Sequence, residues 1–116
     1  MKKVMVVDDD PEVRKYIVDM LQRSFRCEGI TQAVDAREAA VKFHLGIDVL
    51  IMGGARINTE ARFFLETIKK VYVDTRIIMM TTACHEFYAD HCYDKVIYKP
   101  LGQEEFINTV SPYMWH

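Results

Sequence analysis

A parallel β-sheet covered by helices on both faces is the fold class this sequence predicts, and three observations carry it. Short apolar runs recur along the chain, at Val4 to Val7, Asp48 to Met52 and Arg76 to Met80, and runs of this length bounded by charge or turn residues fit strands buried on both faces. Between them lie longer segments whose apolar residues repeat at helical spacing. The connections are short. Five strands alternating with five helices in this way wind into a parallel sheet by right-handed crossovers. The chain of 116 residues, half of them apolar, suits one domain over 1–116 with a single core of two or three layers.

The first strand, Val4 to Val7, ends in stacked carboxylates, Asp8 and Asp9. In open α/β sheets the ligand crevice lies outside the carboxyl ends of the strands, so both acids are expected there. Two carboxylates in one cleft repel unless a hard divalent cation or a lysine offsets them. Asp10-Pro11 reads as a helix start, with Asp10 as the N-cap and Pro11 at the first helical position, where its missing N–H costs nothing. Val13, Ile17, Met20 and Leu21 make one buried stripe, which predicts a helix from about Pro11 to Phe25.

Cys27 to Thr31 reads as a short, weak second strand. Asp35 to Glu38 has the spacing of an acid-capped capping box, and Ala36, Ala39, Ala40 and Phe43 form a small-residue stripe on a second helix ended by Gly46. The third strand, Asp48 to Met52, stops at Gly53-Gly54, where the lack of Cβ permits tight or left-handed backbone. Asn58 can cap a third helix, on which Ala61, Phe64, Leu65, Ile68 and Tyr72 share a face. Arg76 to Met80 is the fourth strand, closed by Thr81-Thr82, with Met79 and Met80 as core filler. A short helical piece from about Glu86 to His91 precedes the fifth strand, Lys95 to Tyr98. After Lys99-Pro100 a last helix runs from about Gly102 to Tyr113 and buries Phe106, Ile107 and Val110.

Composition excludes several function classes. The formal net charge is −2 with both signs interspersed, so no basic stripe is offered to nucleic acid or anionic membrane. No signal-peptide core follows Met1-Lys2-Lys3, and no apolar stretch reaches the length of a membrane span. Cys27, Cys84 and Cys92 are odd in number and lack CxxC spacing, which argues for reduced thiols and a cytoplasmic setting. Cys84, His85, His91 and Cys92 bring four zinc-type donors close in sequence. On a helix, however, residues seven apart are separated by about 10 Å of rise, and no pair has i, i+4 spacing, so zinc there would require a loop.

Three pieces in order resemble the receiver domain of bacterial response regulators over essentially the whole chain: the acid pair Asp8-Asp9 after Val4 to Val7, the hydroxyl of Thr81 after Ile77 to Met80, and Lys99-Pro100 after Val96 to Tyr98. The resemblance implies a CheY-like, flavodoxin-like (βα)5 fold with strand order 2-1-3-4-5, which periodicity does not fix. It also implies a cis peptide before Pro100. In the family the acid pair holds magnesium, an aspartate ending the third strand accepts a phosphoryl group, and the hydroxyl and lysine bind its oxygens. Here Gly53 stands at the acceptor position, in a run that aligns without a gap, and Gly54, Ala55 and Arg56 offer no replacement. Glycine has no side chain on which an acyl-phosphate could form.

Other departures agree. Ile57 stands where the family usually has proline, Ala61 replaces a common glycine, and Val96 occupies the position of an aromatic reporter. The interval from Thr81 to Lys99 is about one helical turn shorter than the family pattern, which predicts a truncated fourth helix. Thr82-Ala83 also resembles the family's hydroxyl-alanine pair, so either Thr81 or Thr82 fills the switch position. Without the third carboxylate, Asp8 and Asp9 are expected to bind magnesium weakly or not at all, and Lys99 is expected to pair with one of them.

The resemblance thus implies a pseudo-receiver of two-component phosphorelays. Such a module is not an enzyme and acts through a protein partner, an output domain outside this chain, or a homodimer. Two competing readings stand beside it. Asp8 and Asp10 match the DxD spacing of haloacid-dehalogenase-type phosphatases, although Glu12 stands where that family has Thr or Val and no later acid pair supplies its metal site. Alternatively, a receiver without its usual acceptor is phosphorylated at Asp8 or Asp9.

Overall fold

A computed structural model describes residues 1–53, 59–81 and 93–115. In chain order the elements are β1 (Lys2–Val7), α1 (Pro11–Ser24), β2 (Cys27–Ala33), α2 (Ala36–Lys42), β3 (Val49–Met52), α3 (Thr59–Val71), β4 (Arg76–Thr81), β5 (Lys95–Tyr98) and α4 (Gln103–Met114). The five strands form one parallel sheet in the order β2-β1-β3-β4-β5.

Strand alternation divides the core into two layers. Met5, Val7, Leu50, Met52, Ile77 and Met79 face one side, where α2 and α3 cover them with Ala36, Ala39, Phe64, Leu65 and Ile68. Val4, Val6, Val49, Ile51, Ile78, Met80 and Ile97 face the other, under Ile17, Met20 and Leu21 of α1 and Phe106, Val110 and Met114 of α4. Burial on both faces is why β1 and β3 read as continuous apolar runs rather than alternating ones. Among the described residues no helix is long and apolar enough to cross a membrane.

Local chemistry sets the helix boundaries. The Asp10 carboxylate accepts the Glu12 N–H at 2.9 Å, so Asp10 is the N-cap of α1, and α1 closes when the Phe25 N–H reaches the Leu21 carbonyl. At α2 the Asp35 carboxylate accepts the Glu38 N–H, while Glu38 reaches back to the N–H of Val34 rather than that of the cap residue. Arg37 of α2 makes a bidentate pair with Glu60 of α3, and that hydrogen bond and charge raise the guanidinium pKa above its usual value. The Cys27 thiol is free, and burial pushes its pKa up, away from the reactive thiolate.

Several sequence expectations need correction. β2 runs on to Ala33 because its whole length pairs with β1, and its exposed polar residues Glu28 and Gln32 are those of an edge strand rather than a loop. Ala40 faces solvent, and only Ala36 and Ala39 of the alanine stripe are buried. α2 ends at Lys42, with the Phe43 N–H on the Ala39 carbonyl, so Gly46 lies in the following turn and does not terminate the helix. Tyr72 falls just past α3, where it meets the ring of Phe43 edge-on. Ile107 is half-buried, and Met114 completes the buried stripe of α4. Asn58, Ile57, the short helix expected near 86–91 and the Cys84, His85, His91 and Cys92 group lie outside the described residues.

Candidate functional site

The carboxyl ends of β1, β3, β4 and β5 meet at one edge of the sheet. Parallel pairing brings Val7 level with Met52, and the Gly53 N–H continues that ladder to the Val7 carbonyl at 2.7 Å. Asp8, the residue after β1, keeps its N–H on the Ala33 carbonyl at 3.1 Å. Thr81 ends β4, and its carbonyl accepts the Lys99 N–H at 2.7 Å. The ladder therefore places Asp8, Gly53, Thr81 and Lys99 on one edge before any side chain is considered.

The two acids behave differently. Asp8 is fully buried, and both its carboxylate oxygens are engaged: Oδ1 accepts the Asp10 N–H at 2.9 Å, and Oδ2 accepts the Lys99 Nζ at 2.8 Å. Asp9 is exposed. A buried carboxylate is tolerated because a charge and a hydrogen-bond donor both meet it, and among the described residues no buried side-chain nitrogen or oxygen is left without a partner. Lys99, followed by a cis bond to Pro100, is largely buried too. Arg14, which the sequence did not single out, donates from Nη1 to the Asp8 carbonyl at 2.6 Å and so fixes the backbone that carries the acid. The Tyr16 hydroxyl of the same helix donates to the Leu101 carbonyl at 3.3 Å, tying α1 to the corner that bears Lys99.

Gly53 is pressed rather than free. An ideal Cβ built on it would overlap Oδ2 of Asp8 and would stand 2.9 Å from Cε of Met80 and 3.4 Å from Cγ of Asp8. Its backbone lies outside the left-handed region, so space and not φ is what demands glycine here. Val96 is half-buried against the α2–α3 layer of the core. Thr82 lies outside the described residues, as do Gly54, Ala55 and Arg56.

In this arrangement the residues do not fit a divalent ion. Asp8 already has a donor on each oxygen, Asp9 stands in solvent, and Gly53 supplies no side-chain ligand. Among the described residues no three His, Cys, Asp or Glu side chains are grouped to hold a metal. Magnesium prefers near-octahedral oxygen ligation and dehydrates reluctantly, so an aspartate paired with lysine is a poor first ligand. The phosphatase reading meets a comparable obstacle, because the carboxylate of Asp10 caps α1.

The fold and this edge define a CheY-like α/β domain of the flavodoxin type. Chemotaxis response regulator CheY4 of Vibrio cholerae matches it at 25% identity and a TM-score of 0.78, over 97% of this chain and 98% of that one. Response regulator protein TrrA of Thermotoga maritima, solved in complex with Mg(2+)-BeF, matches at 26% identity and a TM-score of 0.79, over 97% and 99%. A structure of the P1 domain of CheA3 in complex with CheY6 from R. sphaeroides shares the fold at 22% identity and a TM-score of 0.77, over 99% and 98%. The first two of these likenesses support a receiver domain and a response-regulator signalling module. No protein-family model matches the sequence, and no curated protein does.

Proposed function

We propose that the chain is a receiver-type signalling module of two-component ancestry that is not phosphorylated at position 53 and works by phosphorylation-independent contact with another protein. The observation that supports this reading is the end of β3, where a glycine stands against the Asp8–Lys99 pair and no nucleophile is offered. An acyl-phosphate needs a carboxylate, and the one that stands against Gly53 among the described residues is buried with both oxygens engaged. On this reading magnesium is bound weakly or not at all, and the module acts in the cytoplasm of a bacterium with no direct role in nucleic-acid binding. The likeness to a CheY6 solved in complex with the P1 domain of CheA3 favours a protein as the partner, either a separate signalling protein or an output domain. The test is intact mass after incubation with acetyl phosphate and magnesium. The mass should not change, and a phosphoryl group added in the acid cleft would overturn the reading.

A further inference from the structure

We infer that Gly53 is the residue that keeps the acid cleft closed: its missing side chain lets the Asp8 carboxylate lie back against β3 and take the Lys99 ammonium, and a single methyl group at position 53 would undo that pair. Three neighbours crowd the position, and they do not yield equally. Cε of Met80 is the far end of an unbranched side chain and can swing away. The Gly53 backbone is tied by its N–H to the Val7 carbonyl, so it cannot retreat without loosening the β1–β3 ladder. The Asp8 carboxylate, which a Cβ would overlap, is therefore the group that must move, and its move away from β3 gives up Lys99.

Lys99 stands where β5 turns toward α4, and its pair with Asp8 is a direct side-chain link between the first strand and that corner. The state of residue 53 thus decides whether β1 and the β5–α4 corner are joined. The ammonium of Lys99 serves as the resident cation of the cleft, so the closed arrangement needs neither an added metal nor a phosphoryl group.

The inference rests on reading the cleft as a receiver-type site, but its test uses neither phosphorylation nor a partner. A mass change in the acetyl phosphate experiment would sink the proposed function and leave these readouts as they are. The first arm introduces Gly53→Ala into the parent and into an Asp8→Ala/Lys99→Met background, which removes both charges together and leaves no buried ion alone. The denaturation midpoint should fall markedly in the parent and much less in that background; if Gly53→Ala fails to fold in the parent, its folding in that background is the same result. Equal losses in both would overturn the inference. The second arm is trace acetylation of lysines read by mass spectrometry, with Lys69 as internal reference. Lys99 labelling should rise several-fold in Gly53→Ala, to the level seen in Asp8→Asn. No rise in Gly53→Ala beside a clear rise in Asp8→Asn would also overturn it.

Discussion

Among the described residues two lysine–aspartate pairs hold β5, one at each end, and they are built in different ways. At the amino end Asp94 precedes the strand; its Oδ2 accepts Lys69 Nζ at 2.7 Å and the Ile77 N–H at 2.7 Å, and Arg76 lies 3.8 Å from Oδ1. Both partners keep about a quarter of their side-chain surface in water. At the carboxyl end Asp8 has, among the described residues, one cation and one backbone donor and is fully enclosed. The first arrangement is redundant and wet, the second single and dry. Losing one donor can be made good by water and a second cation in the first case, whereas in the second it leaves a buried charge with no other cation to meet it among the described residues.

Breaking the dry pair should therefore cost most. Lys99→Met leaves Asp8 buried without its cation and should lower unfolding free energy by about 3–5 kcal/mol, read by urea denaturation. A loss no larger than that of the wet pair would erase the distinction. Lys69→Met removes one of the donors of Asp94 and should cost about 1–2 kcal/mol, because Arg76 and the Ile77 N–H remain. The smallest effect belongs to Arg37→Ala. Its pair with Glu60 joins α2 to α3 with good bidentate geometry but lies in full solvent, so the midpoint should be indistinguishable from that of the parent.

The three central strands were legible because apolar runs buried on both faces carry their own signature, and the caps of α1 and α2 because Asp10-Pro11 and Asp35 to Glu38 are local patterns. β2 was underread for the opposite reason: an edge strand shows polar residues such as Glu28 and Gln32 to water, and its length is fixed by pairing with β1, which lies far away in sequence. Strand order came from the family resemblance alone. At the site, an ion pair between Lys99 and one of two acids was foreseeable from charge, but the choice of Asp8 over Asp9 depends on which side of β1 each residue faces. The crowding of Gly53 was not legible at all. A glycine at a strand end suggests conformational freedom, and only the ladder between β1 and β3 shows that the space belongs to a carboxylate from another strand. Arg14 and Asp94 carried no motif: Arg14 reaches back 6 positions to a backbone carbonyl, and Asp94 acts on groups of α3 and β4 that only the tertiary structure brings near.

The Asp8–Lys99 pair joins residues 91 positions apart, across most of a chain of 116 residues. β1, β2 and β3 can assemble from the first half of the sequence, and while they do so Lys99, the partner of the Asp8 carboxylate, is still absent. Contacts of such long range carry the largest loop-closure cost and are made after local ones. During synthesis from the amino end, the first strand would thus wait with an open, hydrated acid at its tip until β5 has docked. Closure of the cleft is then a report that the whole sheet is in place, and a chain cut short before residue 99 would be marked by a charge it cannot bury.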